Sequence, residues 1–281
     1  MKLHLLGTAG YEGWPAVFCG CAACRRARQA GGKNLRTRSN ALIDDVYKID
    51  LGPDTFHHAL TYGLDLSKLE HIIYTHGHPD HFYPAELTNL FPPFAQRTSE
   101  QPAELHIWGP DTVMQGIERE IGVSLKDQPW VHLHTLHPFQ TTQVGDALVT
   151  PLPANHDPNQ TCFIYIFERG GRRLLYGHDS AYFPDETWHY LEGRRGATVQ
   201  KLDGVLLGCA FGPNPGERLH MNIDTCLAVQ RRLREAGCAH DETRFIATHF
   251  SHTGGLLHDE LEAAFGDSGF IVAYDGLVVE I

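Results

Sequence analysis

The chain has 281 residues, 42% of them hydrophobic, enough to bury a substantial core. Its 23 Lys+Arg against 34 Asp+Glu give a formal net charge of -11, which provides no general attraction to phosphate backbones or anionic membranes and disfavours nucleic acid as a partner. No apolar run is long enough to span a bilayer, and the opening run that ends at Gly7 is too brief for a signal peptide, so a cytoplasmic protein with no membrane partner is expected.

The first strand-like run is KLHLLGT, and VFCGCAAC follows it, with Cys19, Cys21 and Cys24 crowded together. Structural zinc needs four ligands and disulfides need an even number, so this stretch lacks a partner close by. The other four cysteines, Cys162, Cys209, Cys226 and Cys238, are scattered among apolar residues and read as core; an odd total of seven fits a reducing compartment. Two more strand-like runs, NALIDDVYKIDLG and HIIYTHGH, lead to a loop that carries His76, His78, Asp80 and His81. Two imidazoles two positions apart can grip one ion, and the Asp-His pair that follows points elsewhere and can grip a second.

Further along, PPFAQRTSEQPAE reads as a loop, and ELHIWGP, ALVTPLPANH, TCFIYIFERGGRRLLYGHDS, GVLLGCA, RFIATHF and GFIVAYDGLVVEI read as strands. Gly170 and Gly171 suit a hairpin turn, since glycine tolerates positive φ. The clearest helix is NIDTCLAVQRRLREAG, with an apolar stripe of Ile223, Leu227, Val229 and Leu233 and a stop at Gly237. The alternation predicts an α/β (α+β) fold in one domain, 1–281. Of the 19 histidines, His57, His58, His71, His106, His132, His134, His137, His189, His240 and His258 have no spacing partner and read as ordinary surface or core side chains.

The HxHxDH pattern at His76–His81 resembles the signature of the metallo-β-lactamase superfamily. Its other motifs follow in order: IDLGPD with Asp50, LPANHD with His156, LLYGHDS with Asp179 and ATHFSHTG with His249. The resemblance implies a four-layer αββα sandwich of two similar halves, with two divalent ions (zinc, manganese or iron) at one edge between the sheets. It assigns His76, His78 and His156 to one ion, Asp80, His81 and His249 to the other, Asp179 as a shared bridge, and Asp50 as a buttress. Two such ions, about 3.5–4 Å apart, can share a hydroxide and polarise a phosphoryl oxygen. His178, next to Asp179, is a competitor whose contact with a metal the sequence leaves open.

Within the superfamily the chain is similar to the PhnP-like phosphodiesterases, related to ribonuclease Z and PqqB. The C-x-C-x-x-C loop and the H-x-x-H pair carry that likeness, along with GTAGYEGWP, LRTRSNALI and ERLHMNID. It implies that His252 completes a structural zinc site with Cys19, Cys21 and Cys24, since His249 directly follows a strand and faces the active site. It also makes His220 a candidate catalytic acid beside Asp80, with Asp224 orienting its imidazole, because a nearby carboxylate raises a histidine pKa; a helix-capping role is the alternative. The implied activity is hydrolysis of small cyclic or nucleotide-like phosphodiesters, with a homodimer left open. A PqqB-like non-catalytic carrier and a lactone or ester hydrolase are the other readings. The arm with which ribonuclease Z grips transfer RNA has no counterpart in the sequence.

Overall fold

Apolar runs that alternate in facing build two seven-stranded sheets in this computed structural model, which describes residues 1–125, 128–194, 198–216 and 219–281. The first sheet takes β1 (Lys2–Gly7), β2 (Asn40–Ile43), β3 (Tyr47–Ile49), β4 (His71–Ile73), β5 (Leu105–Gly109) and β6 (Val131–Thr135) in chain order, and β14 (Leu277–Glu280) closes it beside β1. The second holds β7 (Thr142–Val144), β8 (Ala147–Pro153), β9 (Phe163–Arg169), β10 (Arg172–Gly177), β11 (Leu202–Gly208), β12 (Ala239–Thr248) and β13 (Phe270–Val272), side by side in that order. In each sheet the first three pairings, starting from β14 or from β7, are antiparallel and the last three are parallel. The two halves therefore have matching topology. The turn between β9 and β10 uses Gly170 and Gly171 at φ 58° and 75°, the left-handed region that a tight hairpin requires.

The period-2 alternation of strands sorts side chains into three apolar layers. Leu3, Ile43, Ile73, Tyr165, Leu206 and Ile246 fill the space between the sheets. Ile72 and Ile107, on the opposite face of the first sheet, pack under α3 (Asp111–Leu125) through Val113, Ile117 and Ile121, with α2 (Thr55–Tyr62) alongside. Val205, Leu207 and Phe245 of the second sheet meet α1 (Ala22–Ala30), α4 (Asp185–Leu191), α5 (Ile223–Glu235) and α6 (His258–Phe265). The result is the αββα sandwich. The buried face of α5 is Ile223, Cys226, Val229, Gln230 and Leu233; Leu227 is half-buried, so Cys226 takes the place in the stripe that the sequence pattern assigned to it. Cys162, Cys209 and Cys238 are buried as well. Among the described residues no helix is long and apolar enough to cross a membrane.

Among the non-glycine residues with left-handed backbones are Asp50 at φ 58°, directly after β3, and His249 at φ 55°, directly after β12. Such strain persists only where its surroundings enforce it. Both residues lie at the edge where the two sheets meet.

Candidate metal centre

The loop after β4 brings His76, His78, Asp80 and His81 together with His156 after β8, Asp179 after β10 and His249 after β12. One carboxylate oxygen organises the cluster. Asp179 Oδ2 lies 3.5 Å from His76 Nε2, 3.2 Å from His81 Nε2, 3.4 Å from His156 Nε2 and 3.5 Å from His249 Nε2. Two four-residue groups share that carboxylate, His76–His78–His156–Asp179 and Asp80–His81–Asp179–His249, each with its donor atoms within 4.8 Å of one another.

Hydrogen bonds fix which nitrogen of each ring faces the centre. His81 Nδ1 donates to Asp50 Oδ2 at 2.9 Å, and Asp50 also accepts from Thr75 N at 2.8 Å. His156 Nδ1 donates to Leu219 O at 3.0 Å, His76 Nδ1 to Thr75 Oγ1 at 3.0 Å, and His78 Nε2 to Asp157 Oδ2 at 3.1 Å. A ring anchored at one nitrogen keeps the lone pair of the other, and those of His76 Nε2, His78 Nδ1 and His156 Nε2 converge, with His78 Nδ1 2.9 Å and 3.0 Å from the other two. His81 Nε2 faces Asp80 Oδ2 at 2.9 Å, and both ring nitrogens of His249 are buried without a hydrogen-bond partner, a cost that a cation at the convergence point would remove for His249 Nε2.

The electrostatics agree with the geometry. Burial pushes the carboxyls of Asp80 and Asp179 up, but the surrounding imidazoles outweigh it and hold both well below the usual carboxylate range. Burial and neighbouring histidines push His76 well below the ordinary value, and burial lowers His156. Ionised carboxylates and neutral imidazoles are the ligating forms. His81 is the exception: burial lowers it, yet Asp80, Asp179 and Asp50 outweigh burial and raise it well above its ordinary value, so a proton there answers the carboxylate charge. The residues fit two divalent cations.

His178 sits behind this centre. Its Nε2 lies 3.1 Å from His81 Nδ1 and 3.5 Å from Asp50 Oδ2, on the side of His81 opposite Asp179. His220 lines the same cleft of about 580 Å³, with Tyr11, Phe211 and Thr253. Its Nδ1 lies 2.8 Å from Asp179 Oδ1. Burial lowers His220, but Asp179 and Asp80 outweigh that and raise it. The expectation for Asp224 fails here: that residue is exposed on the first turn of α5, and the carboxylate that faces His220 is Asp179. The capping alternative fails too, because Asn222 is the N-cap and accepts from Thr225 N.

The second cluster forms where the N-terminal loop meets the loop after β12. The ligand atoms of Cys19, Cys21, Cys24 and His252 lie within 4.8 Å of one another. His252 Nδ1 is 3.7 Å from Cys19 Sγ and 3.5 Å from Cys21 Sγ, while its Nε2 faces Glu12 Oε1 at 3.6 Å. The Cys24 N–H and His252 draw the Cys21 thiol down to about 6, and burial pushes Cys24 up to about 11. The mixed set of soft donors suits zinc. Sequence reasoning missed Glu12, Thr75, Asp157 and the Leu219 carbonyl. Asp157 adjoins His156 in LPANHD and was legible there; a backbone carbonyl has no signal in sequence at all.

The model of the family described as Beta-lactamase superfamily domain matches residues 47–250. No curated protein matches the chain. Among solved structures it is similar to a diphosphatase from the PhnP family, at 23% identity and TM-score 0.73, covering 100% of this chain and 96% of that one. It is also similar to Zn(2+)-bound PqqB from Methylobacterium extorquens, at 19% identity and TM-score 0.75 over 100% of both chains. Human tRNase Z, short form, is similar at 17% identity and TM-score 0.67, over 100% of this chain and 99% of that chain.

Proposed function

The chain belongs to the beta-lactamase superfamily, whose fold implies divalent metal ions and hydrolytic chemistry, and on that footing we propose that it hydrolyses small phosphodiesters at the centre around Asp179. The observation that carries this reading is the single oxygen, Asp179 Oδ2, within 3.5 Å of a nitrogen from each of His76, His81, His156 and His249. When bound there, two divalent cations would polarise a phosphoryl oxygen and activate water. His76, His78 and His156 would hold one, and Asp80, His81 and His249 the other.

The chain's own groups do the rest. Asp50, Thr75, Asp157 and the Leu219 carbonyl keep the imidazoles in register, so the ligating atoms need no reorganisation. Tyr11, Phe211 and Leu219 give the cleft an apolar wall against which the organic part of a diester can rest. His220, held through Nδ1 by Asp179, leaves Nε2 as the nitrogen able to pass a proton to a departing alkoxide. Cys19, Cys21, Cys24 and His252 would hold a structural zinc that ties the entry loop to the far wall of the same cleft.

A substrate panel of bis(p-nitrophenyl) phosphate, ribose cyclic phosphates, cyclic nucleotides and lactones tests the class. Turnover of diesters, lost in Asp179→Ala with the fold intact, is the expected result. Near-wild-type turnover by Asp179→Ala at equal metal content sinks the assignment of the bridge. Turnover of lactones alone would move the reaction to carboxylic esters, and no turnover of anything would favour a carrier.

A further inference from the structure

Lys48 occupies a place where the strand pattern calls for an apolar side chain. It lies in the middle of β3 opposite Leu42, between Tyr47 and Ile49, which face the core between the sheets, and it is fully buried. Its Nζ donates to Asn40 Oδ1, to Asp50 O at 2.6 Å and to Ile49 O at 3.4 Å. Among the described residues it forms no ion pair, so three carbonyl-type oxygens receive its three N–H groups. Burial draws its pKa down to about 7, against the pull of the Asp50 charge. A buried ammonium without a counterion opposes folding, so its presence calls for a task.

The task is visible two residues on. Asp50 sits at φ 58°, a conformation disfavoured for any residue with a Cβ, and its carboxylate anchors His81 Nδ1 and the Thr75 N–H. The turn it starts is locked against the metal loop: Leu51 N donates to His81 O at 3.0 Å, and a Cβ on Gly52 would come within 2.1 Å of Asp80 O and 3.1 Å of Asn40 Nδ2. A shift of the Asp50 carbonyl would therefore move its carboxylate and, through it, the His81 ring.

We propose that Lys48 is a positioning residue of the metal centre: its ammonium clamps the Asp50 carbonyl in the left-handed turn and so fixes the carboxylate that orients His81. This rests on the reading of His81 as a metal ligand. Asn40 is part of the device, since its Oδ1 accepts a hydrogen bond from the ammonium and its side chain lies against the turn at Gly52.

The Cys19–Cys21–Cys24–His252 cluster provides an internal control in the same molecule. Titration with cobalt(II) alone separates the two kinds of site, because thiolate ligands give charge-transfer absorption that imidazole and carboxylate ligands do not. Lys48→Met, similar in shape and uncharged, is expected to keep its thiolate-site affinity while its affinity at the histidine–carboxylate centre falls about 10- to 100-fold, as for other residues that orient ligands. Equal affinity at that centre in Lys48→Met and wild type overturns the proposal, and so do equal losses at both sites with a matching drop in the melting temperature of the metal-free protein. If Lys48→Met does not fold, Lys48→Arg carries the test, since it keeps charge and donors but is too long for the space. A folded arginine variant with a weakened centre and an intact thiolate site supports the clamp, and wild-type affinity in it overturns the clamp. Wild-type protein that takes cobalt only at the thiolates overturns the reading of the centre itself, a result distinguishable from all of these.

Discussion

At the scale of single residues, His220 has the sharpest consequence. Its Nδ1 is held by Asp179 and its ring stacks on His249 at 5.3 Å between centroids, so only Nε2 is available to a substrate. His220→Ala should lower the turnover of an alkyl diester by about 10²- to 10⁴-fold, the usual contribution of a general acid, and leave a p-nitrophenyl diester nearly unchanged. Equal losses on both substrates would show a binding or structural role instead. A second expectation concerns a histidine that the sequence left among the ordinary ones. His71 is buried, stacked on Tyr47 at 5.1 Å, and burial with His106 beside it draws its pKa down to about 4. The unfolded chain, with a histidine pKa near 6.5, binds the extra proton between about pH 4 and 6.5, so stability should rise with pH across that window and fall on acidification, by up to about 1.4 kcal/mol per pH unit. Urea unfolding at several pH values checks it, and an unchanged slope in His71→Gln would remove His71 as the cause. Residues with side-chain chemistry at motif spacing, such as His76 to His81, were legible in the sequence. Asp224 was misread because sequence proximity stood in for space: four positions along, it lies on the exposed side of α5, while Asp179 arrives from another strand.

At the scale of elements, the strands were legible and most helices were not, for physical reasons. Apolar runs such as FIYIF in β9 stand out because both faces of the strand are buried. α2, α4 and α6 have eight, seven and eight residues, barely two turns, too few for a 3.6-residue period to show. α1 buries only Ala23, Cys24 and Ala27, a face without large side chains, and the cysteines drew attention to metal before helix. The two readings meet at Cys21, which is the N-cap of α1 and accepts from Cys24 N at 3.4 Å. Serine is a good N-cap, so Cys21→Ser should leave the start of the helix intact and remove only the metal ligand. The expected outcome is a loss of about one zinc per chain and a lower melting temperature, with hydrolysis per filled centre largely kept. Unchanged zinc content in the variant would rule out the thiolate site.

At the scale of the whole molecule, the centre is a joint between two halves of matching topology. His76, His78, Asp80 and His81 come from the first sheet, and His156, Asp179 and His249 from the second. The halves also meet through backbone, since Gly10 N donates to Phe250 O at 3.0 Å and Phe250 N to Thr8 O at 2.9 Å, but the buried imidazoles and carboxylates between them oppose their docking until a cation balances the charge. Cations that need ligands from both sheets bind the docked state and not the unfolded one, so they stabilise the whole chain by mass action, about 4 kcal/mol at a thousandfold excess over Kd. For a protein of this size that corresponds to a melting temperature higher by roughly 7 °C. Chelators would strip the thiolate site as well, so the measurement belongs in Cys21→Ser protein, where calorimetry with and without added zinc reports the histidine–carboxylate centre alone. In that background His76→Ala, from the first sheet, and His249→Ala, from the second, should each lose most of the zinc-dependent increment, because either change leaves a shared centre incomplete. If one of them keeps the full increment, the cations belong to one half only, and the joint between the sheets is held by packing and backbone hydrogen bonds without them.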